Sequence, residues 1–209
     1  MKCDDAIVFV VDDDDSVREA LSDLIASVGL DVAAFGSASE FLTAHKPDRP
    51  CCLILDLKLP DVNGLELQNE LANENGPPVI FISGYGDIPT SVRAMKAGAI
   101  EFLPKPFRNE DLLKAIDAAL SVDREARHAR SKVSELRKHY SLLTAREKEV
   151  LPFVVAGFAN KETAADLGTS EITIAVHRGQ IMRKMGARSL AELVRMSDEL
   201  QVPSKSRPA

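Results

Sequence analysis

The chain has 209 residues, of which 45% are hydrophobic and 28% are charged, and its formal net charge is −6. This composition excludes a chain that is disordered throughout, and the length allows one large domain or two small ones. The longest uninterrupted apolar run, residues 6–11, is far shorter than the roughly 20 residues that span a bilayer, so we expect no membrane insertion.

The first 120 residues alternate between short apolar runs and amphipathic segments. The runs at 7–11, 32–35, 52–55, 79–82 and 100–103 predict five β-strands, and the segments between them predict helices. Either Asp14 or Asp15, or a capping box of Ser16 with Glu19, would begin the first helix. Strands that alternate with helices predict a doubly wound α/β domain, whose parallel sheet is covered on both faces. If the strand order is 2-1-3-4-5, as in flavodoxin-like sheets, the first, third, fourth and fifth strands are contiguous.

The charge changes sign after residue 120. Residues 1–120 contain 10 Lys and Arg against 21 Asp and Glu, whereas residues 121–209 contain 16 against 11, so the net charges are −11 and +5. We predict a first domain over 1–120, a solvated helical linker over 121–141, an all-α domain of four helices over 142–200, and a flexible tail over 201–209. Opposite charges indicate that the two domains have different partners.

Polar side chains follow four of the five predicted strands. Asp12 and Asp13 follow the first strand, Asp56 follows the third, Ser83 the fourth and Lys105 the fifth. Because ligand sites in parallel sheets lie at the carboxyl ends of the strands, we expect these side chains to converge. Asp12 and Asp13 are candidate Mg²⁺ ligands, Asp56 is the candidate nucleophile, and Lys105 and Ser83 would contact a transferring phosphoryl group.

The basic half contains a predicted helix-turn-helix. A short helix ends at a turn over 168–170 that contains Gly, and Ser170 caps the next helix, predicted over 171–185. One stripe of that helix is predicted to pack on its neighbours: Ile174, His177, Ile181 and Met185. The opposite face would enter the major groove of DNA, with basic residues around it to contact phosphates: Ile172, Ala175, Val176, Gly179 and Arg183 on the face, and Lys161, Arg178, Lys184 and Arg188 around it.

Residues 5–120 resemble the receiver domain of two-component response regulators, nearest to the FixJ-like branch, in the stretches VVDDDDSVREAL, LILDLKLPDVNGLEL and FISGYGDIPTSVRAMKAGAIEFLPKPF. The resemblance implies a flavodoxin-like fold in which Asp56 accepts a phosphoryl group. It also implies Mg²⁺ held by Asp12, Asp13, Asp56 and the backbone carbonyl of Lys58. Lys105 would be the lysine of the site, with a cis bond to Pro106, and Ser83 and Phe102 would form the switch.

Residues 142–196 resemble the LuxR-type DNA-binding domain, from LTAREKEVL through FANKETAADLGTSEITIAVHRGQIMRKMGARSLAELVR. This resemblance implies DNA contacts by Lys161, Ser170, Thr173, Ala175, Val176, Arg178, Gly179, Arg183 and Lys184. Ala175 stands where many members carry Lys, and Gly179 replaces a bulkier and usually polar residue. We therefore hypothesise that base recognition depends on thymine-methyl contacts of Ala175 and Val176, on Arg183 and on DNA shape.

These features together predict a two-component response regulator rather than an enzyme. A histidine kinase would phosphorylate Asp56, slow autodephosphorylation would reset it, and phosphorylation would control sequence-specific binding to double-stranded promoter DNA. Phosphorylation would act either by pairing receivers into a homodimer or by releasing the DNA-binding domain. RNA polymerase is a further expected partner. No secretory signal is visible, and Cys3, Cys51 and Cys52 lack metal-site spacing, so we expect reduced thiols and a cytoplasmic location.

Three other functions are disfavoured by particular residues. A phosphohydrolase would need an acid two residues after Asp56, where Lys58 stands. A nucleotide-binding enzyme would carry G-x-G-x-x-G or G-x-x-x-x-G-K-[ST], and neither occurs in the chain. A phosphorelay or RNA-binding module without a DNA target would fit the basic half, but that region lacks the aromatic platform that single-strand binding prefers.

Overall fold

The computed structural model describes residues 6–73, 76–84 and 88–205. It divides into two compact units, Met1–Arg127 and His128–Ala209. Cys3 and residues 206–209 of the predicted tail lie outside the described residues. The boundary between the units falls inside the predicted linker.

The first unit contains a five-stranded parallel sheet. Its strands are β1 (Ile7–Val11), β2 (Asp31–Phe35), β3 (Cys51–Asp56), β4 (Val79–Ser83) and β5 (Glu101–Pro104). Their order is β2-β1-β3-β4-β5, and every pair is parallel, which confirms the predicted topology. The helices that follow them are α1 (Asp15–Ser27), α2 (Ala38–Thr43), α3 (Gly64–Asn73), α4 (Ile88–Lys96) and α5 (Asn109–Ser141).

The central strands are buried on both faces, which explains their continuous apolar sequences. Alternate residues of β1, β3 and β4 supply two hydrophobic cores, because successive side chains of a strand point to opposite faces. Val8 and Val10 belong to the core that contains Ile25 and Ile116. Phe9 and its alternate neighbours belong to the other core.

The first helix is capped by Asp14, one of the two acids proposed for this role. The carboxylate of Asp14 accepts hydrogen bonds from the backbone N–H groups of Ser16 and Val17, at 2.9 and 3.4 Å. The alternative capping box of Ser16 with Glu19 is wrong, because the helix begins at Asp15 and Ser16 already lies in its first turn.

The beginning of the predicted linker is part of the first unit. Asp123 is only 3% exposed, and its Oδ2 accepts hydrogen bonds from the backbone N–H of Cys51 (2.8 Å) and from Nε of Arg127 (2.6 Å). Arg127 also contacts Asp48 at 2.5 Å. These contacts fix α5 to the start of β3, so the stretch of α5 up to Arg127 is not a solvated connector.

The second unit is helical. It contains the end of α5 and α6 (Ala145–Val155), α7 (Asn160–Leu167), α8 (Glu171–Met185) and α9 (Leu190–Glu199). These helices pack around one core that includes Val150, Leu151 and Leu193. Gly168 ends α7 with a φ of +63°, a left-handed conformation that favours glycine, and so forms the tight turn before α8. None of the described helices of the whole chain is long and apolar enough to cross a membrane.

Candidate functional site

The carboxyl ends of β1, β3 and β5 bring three charged side chains together. Nζ of Lys105 donates a hydrogen bond to Oδ2 of Asp12 at 2.7 Å and lies 3.3 Å from Oδ1 of Asp56. One ammonium group therefore bridges two carboxylates from different strands.

The sheet register positions these side chains. Val11 pairs with Leu55, so Asp12 and Asp56 follow at adjacent positions of neighbouring strands. Ser83 pairs with Pro104, and the backbone N–H of Lys105 donates to the carbonyl of Ser83 at 2.8 Å. Ser83 is 2% exposed, and the bond between Lys105 and Pro106 is cis, as the resemblance implied.

Burial and charge oppose each other at this site. Burial raises the pKa of Asp56, and the nearby Lys105 ammonium partly counteracts that rise. Burial alone would lower the pKa of Lys105, but the hydrogen bond and charge of Asp12, together with Asp56, raise it above its ordinary value. Lys105 thus stays charged and stabilises both carboxylates.

The loop after β3 closes tightly over Asp56. The backbone N–H of Lys58 donates to Oδ2 of Asp56 at 2.9 Å, and the N–H of Gly64 donates to the carbonyl of Leu57 at 3.0 Å. A Cβ atom at position 64 would lie 2.7 Å from the backbone oxygen of Asp56, so only glycine allows this approach. Asp61 fastens the same loop to α2, because its carboxylate accepts hydrogen bonds from the N–H and hydroxyl of Ser39 at 2.8 and 2.7 Å.

Our sequence reasoning missed both Gly64 and Asp61. The signal was the cluster of turn residues Pro60, Asp61, Asn63 and Gly64 directly after a buried strand. That cluster indicates a tight loop, but not which residues the loop contacts.

The candidate metal ligands differ in their exposure to solvent. Asp12 is 1% exposed and Asp56 is 8% exposed, whereas Asp13 is exposed beside Asp12 and Lys58 is exposed in the loop. Among the described residues, no three acidic, His or Cys side chains form a group that could hold a metal ion. The available donors are carboxylate and carbonyl oxygens, the ligand type that Mg²⁺ prefers, so the donor set fits this ion.

The predicted switch aromatic, Phe102, lies in β5 and is half-buried. Its ring centroid is 6.1 Å from that of Phe81, and it packs against the core that includes Phe81. Phe102 pairs with Phe81, two residues before Ser83 in β4, and its side chain is partly exposed to solvent.

In the second unit, α8 has one buried stripe and one exposed face. Ile174, Ile181 and Met185 are fully buried, while His177 is half-buried. The side chains predicted to enter the major groove are all exposed: Ile172, Ala175, Val176, Gly179 and Arg183.

Several polar side chains around this face have partners within their own unit. Arg178 donates to the backbone carbonyl of Phe158 at 2.9 Å, and Lys184 forms an ion pair with the buried Glu147 at 2.6 Å. The Ser170 hydroxyl accepts a hydrogen bond from the N–H of Thr173 and lies 2.8 Å from the Thr173 hydroxyl. Lys161 is exposed at the start of α7. Glu147 also forms a capping box with Thr144 at the start of α6.

Two family models match the chain. The response regulator receiver domain matches residues 8–117, and the bacterial regulatory protein luxR family matches residues 141–197. The chain is 52% identical to nodulation protein W of Bradyrhizobium diazoefficiens over 94% of its length and 87% of that protein. It is 44% identical to the transcriptional regulatory protein FixJ of Azorhizobium caulinodans, over 91% of this chain and 90% of that protein. The solved structure of the response regulator StyR has a TM-score of 0.83 and 48% identity, over 93% of this chain and 99% of that chain.

Proposed function

Because the chain belongs to the FixJ-like two-component response regulators, which join a receiver domain to a LuxR-type DNA-binding domain, we propose that Asp56 is the phospho-acceptor through which it regulates transcription. The protein is a phosphorylation-dependent transcription regulator. The observation that supports Asp56 is its position beside Lys105, at the meeting point of three strand ends.

Phosphorylation begins with a phosphohistidine of a sensor kinase. A carboxylate oxygen of Asp56 attacks the phosphorus atom, a P–O bond forms as the P–N bond breaks, and the leaving imidazole nitrogen takes a proton from solvent. Lys105 pairs with the incoming phosphoryl oxygens, and Lys58 keeps Asp56 oriented through its backbone N–H. Slow loss of the phosphoryl group to water resets the protein, which has no other catalytic activity.

Asp12, Asp13, Asp56 and the backbone carbonyl of Lys58 would hold Mg²⁺. When bound, the ion would neutralise the charge that develops on the phosphoryl oxygens. The residues of the chain provide the remaining functions, because Asp12 holds Lys105 at 2.7 Å and so positions its charge for the phosphate.

The new charge on Asp56 is roughly −1.5 to −2, and it attracts the Ser83 hydroxyl as a hydrogen-bond donor. Movement of Ser83 frees space next to β5, and Phe102 turns inward to fill it. The receiver surface around β5 thereby changes shape. We propose that this change pairs two receivers into a homodimer and presents two copies of α8 to two DNA half-sites.

The DNA-binding unit would use the exposed face of α8. Ala175, Val176 and Arg183 would contact base edges, and Gly179 would allow the helix to come close to them. A further set of polar and basic residues would contact phosphates: Lys161, Ser170, Thr173, Arg178 and Lys184. Arg178 and Lys184 would do so from positions fixed by Phe158 and Glu147. Promoter DNA, a sensor kinase and RNA polymerase are the proposed partners, and because chromosomal DNA is the target, we place the protein in the cytoplasm.

Replacement of Asp56 tests the proposal directly. Asp56→Asn keeps the shape of the side chain but removes the nucleophilic carboxylate, so we expect no ³²P incorporation from acetyl phosphate with Mg²⁺. The matched control is Asp48→Asn, since Asp48 is an exposed acid that precedes the amino end of β3, opposite the end that carries Asp56, and should label normally. Labelling of the Asp56→Asn protein at the wild-type rate would contradict the proposal.

The same two proteins test the dimer. Light scattering after treatment with acetyl phosphate should give a doubled mass for Asp48→Asn and an unchanged mass for Asp56→Asn. Tighter DNA binding by labelled protein that stays monomeric would instead favour release of the DNA-binding domain.

A further inference from the structure

Two branched apolar side chains are exposed on the face of α8 that is proposed to enter the major groove. Ile172 is 79% exposed and Val176 is 57% exposed. They are four residues apart, so they are neighbours on one side of the helix, and Ala175 lies beside them. We call these three residues the apolar patch. The patch does not complete the core of the unit, because the core positions of α8 are already filled by Ile174, Ile181 and Met185.

The polar side chains of α8 near the patch already have partners. Arg178 donates to a backbone carbonyl, Lys184 pairs with Glu147, and Arg183 donates to Oε1 of Gln180 at 2.6 Å. Each of these cations carries further N–H groups, so it can contact DNA from its present position. Ile172 and Val176 carry no hydrogen-bonding side-chain group and can contribute to base recognition only through apolar contact.

The net charge of the second unit indicates which kind of molecule binds the face of α8 that carries the apolar patch. Residues 128–209 carry a net charge of +5, and Lys161 and Arg188 are exposed around α8. An apolar protein groove would not need these charges, whereas duplex DNA offers phosphates beside its major groove. The only strongly apolar group that a base presents in that groove is the C5-methyl of thymine.

We propose that Ile172 is a specificity-determining residue, which packs together with Val176 against thymine C5-methyl groups in each half-site. This inference rests on the proposed DNA-binding function. It assigns a role to Ile172, which is not among the residues that the family resemblance implicates, and it predicts that this protein distinguishes thymine from other bases by its C5-methyl group.

The test removes the methyl group from the DNA. Duplexes are first selected from a random pool by the full-length protein in the presence of acetyl phosphate and Mg²⁺. Each thymine of the selected half-site is then replaced by deoxyuridine, which lacks only the C5-methyl group. We expect one or two positions at which Kd rises about three- to fivefold, the effect of leaving one methyl group unburied.

Ile172→Ser provides the second arm. It should weaken binding to the thymine duplex and abolish the difference between thymine and deoxyuridine at the sensitive position. Leu190→Ser is the matched control, because Leu190 is an exposed apolar residue (41%) at the start of α9 and should keep the full difference. The fold of Ile172→Ser is checked by its thermal unfolding, which should match that of the wild type since the side chain is exposed.

The outcomes are distinguishable. If no duplex is selected from the pool, the proposed function itself fails. If a duplex is selected but every deoxyuridine replacement is silent, DNA binding stands and the role of Ile172 is refuted. A thymine effect that persists unchanged in Ile172→Ser would refute it as well, and would place the methyl contact on another residue.

Discussion

Lys105 allows two carboxylates to lie close together at the end of the sheet. Asp12 is 1% exposed and Asp56 is 8% exposed, so water screens their repulsion poorly. The ammonium of Lys105 contacts both and has a raised pKa as a result. One ammonium against two carboxylates leaves these three side chains with a net charge of −1, so the site retains an excess of negative charge that a cation can neutralise.

Gly64 allows the loop after β3 to come close to the backbone of Asp56. We predict that Gly64→Ala destabilises the receiver by about 1–3 kcal/mol, because the new methyl group would lie 2.7 Å from the backbone oxygen of Asp56 and 3.0 Å from the Phe81 ring. Urea unfolding followed by circular dichroism measures this loss. The clash is with backbone, which cannot move without displacing Asp56, so the labelling rate should fall too.

Gly84→Ala is the control for this substitution. A Cβ atom at Gly84 would meet nothing within 4 Å, so its stability should stay within about 0.5 kcal/mol of the wild type. Equal stability of Gly64→Ala and Gly84→Ala would show that the loop has room for a side chain, contrary to the structure.

The residues of the site differ in how well the sequence could predict them. Asp56 and Ser83 end β3 and β4, and Asp12 and Lys105 directly follow β1 and β5. Strand position and parallel topology therefore suffice to bring them together. The role of Gly64 depends on a loop folding back to within contact of β3, and no local pattern encodes that distance. The partner of Lys184 was hidden for the same reason, because Glu147 is 37 residues away in the chain.

At the scale of elements, Glu147 connects two helices of the DNA-binding unit. It lies in the first turn of α6, accepts from the backbone N–H of Thr144 at 2.7 Å, and pairs with Lys184 of α8 at 2.6 Å. Burial would raise the pKa of Glu147, but the hydrogen bonds from Lys184 and Thr144 outweigh burial and hold the pKa below its ordinary value of 4.5. The position of α8 therefore depends on an ionised acid.

We predict that Glu147→Gln costs about 1 kcal/mol of unfolding free energy at pH 7, since the charge-assisted bond to Lys184 is lost. A group with a depressed folded-state pKa contributes its stability above the unfolded-state pKa and loses it as pH falls through the folded-state value. The difference in unfolding free energy between the wild type and Glu147→Gln should therefore be largest near pH 7 and should disappear as the pH falls below 4.5. Urea unfolding of the two proteins across this range measures the difference.

Glu149→Gln is the control, because Glu149 forms an exposed pair with Arg146, and such pairs contribute little. The unfolding free energy of Glu149→Gln should differ little from that of the wild type at every pH. If the difference for Glu147→Gln does not depend on pH, then the shape of Glu147, and not its charge, explains its role.

The elements themselves were largely predictable, and the exception is the linker. Five apolar runs predicted the strands to within one residue at each end. Three of these strands, β1, β3 and β4, are buried along their whole length, and burial on both faces leaves a continuous apolar sequence. The linker looked solvated because Asp123 and Arg127 are charged residues in a polar helix. In the structure they bind each other, and Asp123 accepts a hydrogen bond from the backbone N–H of Cys51, a pairing across 72 residues that composition cannot reveal.

At the scale of the whole molecule, two units with separate cores carry charges of opposite sign. Residues 121–127 contain two acidic and two basic side chains and so add no net charge. The first unit therefore has a net charge of −11 and the second a net charge of +5. DNA attracts one unit and repels the other. The receiver therefore opposes DNA binding through its charge alone, before any specific contact is considered.

We predict that the fragment His128–Ala209 binds a mixed-sequence duplex roughly three- to tenfold more tightly than the unphosphorylated full-length chain at 50 mM salt, because the fragment lacks the acidic unit. The ratio should approach one near 0.3 M salt, where the screening length falls to about 6 Å. Fluorescence anisotropy over a salt series measures both affinities.

If the ratio of the two affinities persists at high salt, the receiver blocks the DNA-binding face by contact. If the two affinities are equal at low salt, the charge of the receiver has no effect on DNA binding. If the ratio of the two affinities falls with salt, the acidic receiver weakens DNA binding by electrostatic repulsion. Phosphorylation would then have to overcome a repulsion that comes from the amino-acid composition of the receiver.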